Sequence, residues 1–339
     1  MKIVSEKIKQ FKKLSVIKIK EDIFKSKINK DKLTDFSNIK KNYVVIKVKY
    51  SNLNFKDCLI AKGHKGLVKN YPHTPGIDVS GIIYFSKSKK FKKKDKVFII
   101  AKPLGVETGG GFSEFVIVHD SWVNKIPEGL TLKNSMLIGT SGFTAFKAFK
   151  ISEKIINKFP DKSILITAPT SNVGLFLIFL LKNYHSKLDV VISKSTNIKK
   201  LKRLGIKKTY LYENFIKKIN FPLLNEKYSI IFDNLGGKTL SVSLKYLTKK
   251  GVLISIGNIL NNKSEINILS FILRENKIIG VNAENSTKLE WNNFNKFLKN
   301  QSITNKMKKY SDTINLSKLK KILNKKSIVK KSYRYLIKI

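Results

Sequence analysis

The sequence predicts an α/β protein that joins a β-rich, barrel-like domain to a doubly wound parallel sheet. Up to residue 118, short apolar segments are separated by turns rich in glycine and proline, a spacing typical of barrel-like β domains. From residue 163, segments of strand composition alternate with helical segments, as in a parallel sheet covered by helices. Residues 164–181 open this second part as a short strand, a turn of small residues and an apolar helix, which is the beginning of a βαβ unit.

The first part of the chain supplies the β domain. Residues 43–50 predict an antiparallel strand with one face in water, and residues 51–57 a polar turn that begins a helix. Residues 71–81 are a loop punctuated by proline and glycine that leads into a strand. Further strands are predicted at 96–100, after the glycine turn in 109–118, and at 333–339, where the chain returns to the β domain.

The second part alternates regularly. A closely packed helix of small residues at 137–146 precedes it. The predicted strands are 163–167, 189–193, 229–233, 251–257 and 278–282, and the predicted helices are near 174–184, 196–204, 237–247 and 288–299. We therefore assign residues 1–135 and 300–339 to the β domain and residues 136–299 to the parallel sheet.

The composition limits the classes of function. The chain has 68 Lys and Arg against 23 Asp and Glu, a net charge of +45. Lysine, isoleucine and asparagine are abundant throughout, so we attribute the charge to compositional drift and expect no nucleic-acid partner, with a polyanionic partner as the alternative. No apolar run approaches the ~20 residues that span a bilayer, and no secretory leader is visible, so we expect a cytoplasmic protein without membrane attachment.

Metal ligands and disulfides are not expected. Cys58 is the only cysteine, which excludes an internal disulfide framework and a zinc site built of several thiolates. The histidines are scattered along the chain, at His64, His73, His119 and His185, and no nucleophile elbow is present.

The loop at 168–174 is the first candidate binding site. The N-terminus of the following helix offers free N–H groups and a partial positive charge to a phosphate. Dinucleotide loops favour glycine, but here only Gly174 is present, with Ala168, Ser171 and Asn172 at the other positions, so an ordinary strand-to-helix turn is the alternative. At the end of the next strand, Ser193 and Lys194 favour the 2′-phosphate of NADP over the 2′-hydroxyl of NAD.

The sequence resembles the medium-chain dehydrogenase/reductase superfamily, in its zinc-free quinone-oxidoreductase-like branch, and most closely the acrylyl-CoA reductase family. Residues 51–57 (SNLNFKD) are similar to that family's SSLNYKD, and residues 71–78 (YPHTPGID) to its proline-rich loop. Residues 138–145 (IGTSGFTA) are similar to IGTAGFTA, and residues 271–282 (FILRENKIIGVN) to FILRxVxLxGVD. The similarity extends over nearly the whole chain.

This resemblance implies a GroES-like β-barrel catalytic domain, a Rossmann domain that binds NADPH, and often a homodimer. It implies reduction of the carbon–carbon double bond of acryloyl-CoA to propanoyl-CoA. The family's cofactor contacts fall on Phe55, Thr170, Ser171, Asn172, Val173, Ile192, Ser193, Lys194, Tyr212, Asn258, Ile272 and Ala283. Four of these positions depart from the family: Phe55 replaces Tyr, Lys194 and Tyr212 replace Arg, and Ala283 replaces Ser, while the family loop GASGGVG reads APTSNVG.

The catalytic candidates surround the first motif. Hydride transfer to an enoyl thioester requires hydrogen-bond donors for the developing enolate and a proton for the α-carbon. The position of Asn54 is close to the nicotinamide in the family, and Lys56, Asp57 and Arg334 are further candidates, with a surface role as the favoured alternative for Arg334. Three other functions remain open: a quinone or enone reductase, a basic binding protein on the same scaffold, and a drifted enzyme of reduced activity.

Overall fold

The structure is a computed structural model that describes residues 10–32, 36–159, 161–182, 187–193, 198–299, 302–325 and 334–339. The chain forms two compact units. The first unit is Met1–Thr140 with Trp291–Ile339, and the second unit is Ser141–Glu290. Among the described residues, no helix is both long and apolar enough to cross a bilayer.

The first unit is built mainly from β-strands. Its described strands are β1 (Phe11–Lys20), β2 (Ile23–Asp31), β3 (Tyr43–Asn52), β4 (Val79–Ser86), β5 (Lys96–Ile99), β6 (Phe115–His119), β7 (Asn124–Lys125), β14 (Ser311–Asn315) and β15 (Arg334–Lys338). Its helices are α1 (Phe55–Ala61), α9 (Ser302–Lys308) and α10 (Leu316–Leu323). Strands β1 and β2 form a hairpin, and the others form a seven-stranded sheet in the order β14-β15-β3-β4-β5-β7, with β6 also paired to β3.

Strand β3 is the centre of that sheet. It pairs antiparallel with β4, β6 and β15. The predicted antiparallel strand is confirmed, but Val44, Val45 and Ile46 are completely buried in consecutive positions, so its wet face does not extend along the whole strand. The wet face is confined to the C-terminal half, where Lys47 is exposed and Lys49 is half-buried, whereas Val45 on the same face is covered. The return of the C-terminal strand to this sheet, through β15, is confirmed.

The second unit is a parallel α/β structure. Its strands are β8 (Ser163–Thr167), β9 (Leu188–Ile192), β10 (Lys208–Leu211), β11 (Tyr228–Asp233), β12 (Leu247–Ser255) and β13 (Lys277–Gly280), and its helices are α3 (Asn172–Leu181), α4 (Ile198–Arg203), α5 (Tyr212–Ile216), α6 (Gly237–Leu244) and α7 (Leu269–Arg274). The sheet order is β10-β9-β8-β11-β12-β13, parallel throughout. The alternation predicted from the sequence is confirmed, and β8 has the predicted bounds.

Two helices carry the chain between the units. Helix α2 (Leu132–Lys158) contains the first crossing and α8 (Lys288–Leu298) the second. The units therefore divide at 140/141 and 290/291, whereas the sequence suggests 135/136 and 299/300. Helix α2 is interrupted at Gly139, whose φ of 54° and ψ of −167° are not helical, so the continuous helix predicted over 137–146 is wrong at this residue.

Candidate functional site

The loop between β8 and α3 in the second unit forms a cradle at the start of a helix. Ser171 is the N-cap, and its hydroxyl accepts a hydrogen bond from the Gly174 N–H at 3.0 Å. The backbone N–H groups of Asn172 and Val173, which begin the helix, have no partner within the described part of this unit. Such N–H groups, together with the helix dipole, favour a phosphate or carboxylate.

Two residues of this loop show how the chain manages without most of the expected glycines. A Cβ on Gly174 would lie 2.3 Å from the carbonyl oxygen of Ala168, so the single remaining glycine permits the close approach of helix and loop. Ala168 has a φ of 48°, a left-handed conformation that is strained for alanine. The fold of a glycine-rich loop is therefore kept, with strain at Ala168 and with Ser171 supplying a cap that glycine lacks.

A buried hydrogen-bond network holds the carboxyl ends of β8 and β11 together. The Thr167 hydroxyl donates to Asp233 Oδ1 at 2.8 Å and accepts from the Asn234 N–H at 2.8 Å, and Asn234 Nδ2 donates to the Thr167 carbonyl at 2.8 Å. Asp233 Oδ2 accepts the Gly236 N–H at 2.8 Å. Burial raises the pKa of Asp233. Sequence reasoning placed small polar groups here but missed this network, because its partners are 66 residues apart.

A shallow pocket of about 510 Å³ lies at the carboxyl ends of β12 and β13. It is lined by Ser255, Ile256, Gly257, Asn258, Gly280, Val281 and Asn282. Ligands of open parallel sheets bind at this edge. The predicted cofactor residue Asn258 lies in the pocket wall. Ala283, another predicted cofactor residue, directly follows the lining residue Asn282 in the chain.

The other predicted cofactor residues are spread over both units. Thr170, Ser171, Asn172 and Val173 are half-buried at the start of α3, Ile192 is buried in the last position of β9, and Ser193 follows it exposed. Tyr212 is half-buried at the start of α5 and packs against the core. Ile272 is 64% exposed on α7, and Phe55 is half-buried in α1 of the first unit. Lys194 lies outside the described residues.

The first unit contains a second network, centred on the buried carboxylate of Asp78. Its Oδ2 accepts from Asn52 Nδ2 at 2.9 Å, from Asn54 Nδ2 at 3.0 Å and from the Thr140 N–H at 3.0 Å. The Thr140 hydroxyl donates to the other oxygen, Oδ1. This network commits the amide nitrogen of Asn54, which is only 5% exposed, to the protein interior. Asn54 therefore orients the turn before α1.

Asp57 is also structural. Its carboxylate is completely buried and accepts the N–H groups of Asn54 at 2.8 Å, Gly76 at 2.9 Å and Ile77 at 3.1 Å. Burial raises its pKa to about 7, and the neighbouring Asp78 adds to the shift. A carboxylate held by three backbone donors positions the loop before β4, so its assignment as a catalytic residue is not supported by its geometry.

Arg334 is buried, so the expected surface role of its side chain is wrong. Its Nη2 donates to the carbonyl oxygens of Met136 at 3.0 Å and Ile138 at 2.8 Å, which are left open where α2 breaks at Gly139. Burial lowers its pKa to about 10, against the opposing effect of Asp78. Lys56, the remaining candidate, is half-buried in the first turn of α1.

Three of the four motifs quoted above thus meet in one place. Residues 51–57, 71–78 and 138–145 supply Asn52, Asp78 and Gly139, and a Cβ on Gly139 would lie 2.2 Å from Asn52 Nδ2 and 2.5 Å from Asp78 Oδ2. The fourth motif, residues 271–282, contributes hydrogen bonds within the second unit. Arg274 donates to the carbonyls of Lys245, Leu247 and Leu224 at 2.8, 2.9 and 2.6 Å, and Asn276 Nδ2 donates to the Thr248 carbonyl at 2.7 Å.

No group of three or more His, Cys, Asp or Glu residues that could hold a metal ion occurs among the residues with described positions. Cys58 is free, and burial raises the pKa of its thiol to about 12, which makes it a poor nucleophile or ligand.

Comparison with known proteins agrees with this architecture. The family model for an alcohol dehydrogenase GroES-like domain matches residues 40–128, and the model named zinc-binding dehydrogenase matches residues 172–300. The Bacillus subtilis protein named "Putative quinone oxidoreductase YhfP" is 30% identical over 247 residues, 72% of this chain and 74% of that protein. The acrylyl-CoA reductase AcuI of Ruegeria pomeroyi is 27% identical over 240 residues, 71% of this chain and 73% of that protein.

Solved structures show the same fold over almost the full length. The yhdH oxidoreductase of Salmonella enterica, in complex with NADP, has a TM-score of 0.84 at 24% identity and covers 97% of this chain and 99% of its own. The Bacillus subtilis yhfP structure with NAD bound has a TM-score of 0.84 at 23% identity, with coverages of 97% and 99%. The chain belongs to the medium-chain dehydrogenase/reductase superfamily, in its quinone-oxidoreductase-like branch.

Proposed function

We propose that the protein is a cytoplasmic, zinc-independent and NADPH-dependent oxidoreductase that reduces the carbon–carbon double bond of acryloyl-CoA to propanoyl-CoA. The main observation in favour of dinucleotide binding is the cradle at the start of α3. There, Gly174 is in close contact with the loop, and two N–H groups are available for a phosphate. The similarity to an acrylyl-CoA reductase supports the choice of substrate.

The residues present fit such a cofactor. A pyrophosphate would be held by the N–H groups of Asn172 and Val173, and Ser193, at the end of β9, offers a hydroxyl and no acid to a 2′-phosphate. The pocket that includes Asn258 and Asn282 would take the nicotinamide half. The cofactor, when bound, supplies a hydride to the β-carbon of the enoyl thioester, and the α-carbon takes a proton.

The chain contributes rigid positioning rather than an exposed acid–base pair. The buried networks around Asp78 in the first unit and Asp233 in the second fix the loops that carry Asn54 and the α3 cradle. Fixed groups need little reorganisation during the reaction, which is one source of rate enhancement. Lys56, half-buried at the start of α1, is the candidate we retain for contact with the thioester or its phosphates.

The test is oxidation of NADPH, followed by absorbance, with acryloyl-CoA and with a panel of quinones and simple enones. We expect turnover with acryloyl-CoA and little with quinones, and turnover that falls with ionic strength because CoA is polyanionic and the chain carries a charge of +45. Turnover of quinones alone would contradict acryloyl-CoA as the substrate and would identify the protein as a quinone oxidoreductase. The name of the Bacillus subtilis relative favours this alternative.

Binding separates the remaining alternatives. Titration of NADPH and NADH fluorescence should show tighter binding of NADPH, and preference for NADH would contradict the proposed cofactor, a result for which the NAD-bound Bacillus subtilis structure gives a precedent in that protein. Absence of NADPH binding together with salt-sensitive binding of nucleic acid would instead identify a basic binding protein on this scaffold.

We also propose a homodimer. Strand β13 is at the edge of the six-stranded sheet. Exposed apolar side chains lie on α7, which precedes it in the chain, and on the N-cap of α7: Ile268, Ile272 and Leu273 are 64, 64 and 59% exposed. An open edge and an exposed apolar patch suit a second copy related by a twofold axis. Light scattering should give twice the 38.8 kDa chain mass, and Leu273→Glu should shift it to the monomer. A monomeric wild type would contradict this proposal.

A further inference from the structure

Lys147 is a buried cation that has no role in the hydride and proton transfers proposed above. It lies in α2, within the second unit, and its side chain is only 8% exposed. Lysine is almost never buried unless its charge is compensated. Its Nζ donates to the carbonyl oxygens of Asn282 at 3.0 Å and Asn285 at 2.7 Å and to the Ser286 hydroxyl at 3.0 Å. Glu290 completes the ion pair at 3.2 Å.

Asn282, Asn285 and Ser286 belong to the loop that follows β13, and Glu290 lies in the first turn of α8, which follows that loop. Within the loop, the Ser286 hydroxyl donates to the Ala283 carbonyl at 2.8 Å, and the Glu284 N–H donates to Asn282 Oδ1 at 2.9 Å. At the loop's end, the Thr287 N–H donates to Glu290 Oε2 at 2.7 Å. The ammonium of Lys147 therefore connects Asn282, Asn285 and Ser286 of this loop to the first turn of α8.

The same loop begins in the wall of the pocket. Gly280, Val281 and Asn282 line it, and the carbonyl of Asn282 is one of the acceptors of Lys147. We infer that Lys147 is a positioning residue for the pocket at the carboxyl ends of β12 and β13, and that it holds the wall against which the nicotinamide half of the dinucleotide binds. This inference rests on the proposed function.

The chemistry favours lysine at this position. A compact ammonium has three donors, and here it has two carbonyls and one hydroxyl as acceptors. Methionine fills a similar volume but donates nothing, and the planar fork of arginine does not reproduce the arrangement. Loss of the donors frees the loop without removing any atom from the pocket wall.

The experiment uses two ligands. NADPH contacts both halves of the proposed site, whereas 2′,5′-ADP carries only the adenosine half, which belongs at the α3 cradle and the end of β9. For Lys147→Met we expect the Kd of NADPH to rise about tenfold, the effect of losing roughly 1.4 kcal/mol, and the Kd of 2′,5′-ADP to stay unchanged. The matched control is Lys150→Met on the same helix, because Lys150 is 44% exposed and pairs with Glu153.

The outcomes separate this inference from the proposed function. Wild-type protein that binds neither ligand contradicts the proposed function itself. If the wild type binds both ligands, two results overturn the inference. One is a Kd of NADPH in Lys147→Met equal to that of the wild type, and the other is an equal rise in the Kd of both ligands. Should Lys147→Met not fold, Ser286→Ala removes one acceptor of Lys147 and should weaken NADPH binding in the same direction by a smaller factor, again with 2′,5′-ADP unchanged.

Discussion

Gly139 and Asp78 are packed so closely that a Cβ on the glycine would lie 2.5 Å from the Asp78 carboxylate oxygen Oδ2. The break in α2 at this glycine turns the Thr140 N–H toward that oxygen, at 3.0 Å, and leaves the carbonyl of Ile138 to Arg334. A helix interruption, a buried acid and a C-terminal arginine thus form a single arrangement. This arrangement explains why the motif at 138–145 contains a glycine where a helix would favour another residue.

Gly139→Ala should strongly destabilise the protein. Its backbone conformation is one that only glycine adopts readily, and the added methyl would meet Asn52 and Asp78. We expect a loss of about 3 kcal/mol or more in the free energy of unfolding, measured with urea. Gly109→Ala is the matched control, because a Cβ there meets nothing within 4 Å. Equal midpoints for both variants would contradict the packing described for Gly139.

Substitutions at Ala168 and Ser171, two residues of the α3 cradle that stand where glycine is expected, should have opposite effects on stability. Ala168→Gly relieves a left-handed alanine and should stabilise the protein by about 0.5–1 kcal/mol, the strain less the backbone entropy of glycine. Ser171→Ala removes the cap on Gly174 and should cost about 1 kcal/mol. Thermal unfolding of the two variants measures both effects. Stabilisation by Ser171→Ala, or destabilisation by Ala168→Gly, would refute this account of the loop.

The stability of the first unit should depend on the ionisation of Asp57. Burial raises its folded-state pKa from 3.8 to about 7, so ionisation is less favourable in the folded state. The contribution of Asp57 is therefore fully present below its unfolded pKa and is lost as the pH rises toward 7. The free energy of unfolding of the wild type, minus that of Asp57→Asn, should fall by roughly 2–4 kcal/mol between pH 4 and pH 7.5.

Urea unfolding at several pH values measures this difference. Asp22→Asn serves as the control for the same chemical change, because the Asp22 side chain is 75% exposed. A wild-type-minus-variant difference for Asp57 that is flat, or that rises with pH, would show that its three backbone donors outweigh burial.

Thr167→Val should weaken both stability and cofactor binding. It removes the hydroxyl that joins Asp233 to the Asn234 N–H, which leaves that buried N–H without its partner and Asp233 Oδ1 with only the Leu235 N–H at 3.4 Å. We expect a cost of about 2–3 kcal/mol in unfolding free energy and weaker NADPH binding, because the cradle begins at the next residue. Thr209→Val, on the edge strand β10, is the control for the change of side chain. Unchanged stability of Thr167→Val would show that this network does not stabilise the protein.

Much of the local structure follows from the sequence, because periodicity and turn residues act over a few positions. The strand at Ser163–Thr167, the helix that follows it and the return of Arg334–Lys338 to the β-sheet are predicted from composition alone. The similarity of four motifs also identifies the superfamily. Strand β3 shows the limit, because Val45 lies on the same face as the exposed Lys47 and is completely buried, which depends on what packs against that end of the strand.

The roles of individual residues were decided by the tertiary structure. Arg334 reads as a surface cation in the sequence, yet its guanidinium lies 196 positions away in the chain from the Ile138 carbonyl that it binds. Lys147 is one lysine among many until the fold brings it to Asn282, 135 residues further on. The sequence by itself determined the two-part α/β architecture, the alternation of strands and helices after residue 163 and the family. Which charges are buried, and what they hold, depends on partners distant in the chain, and no local pattern encodes those contacts.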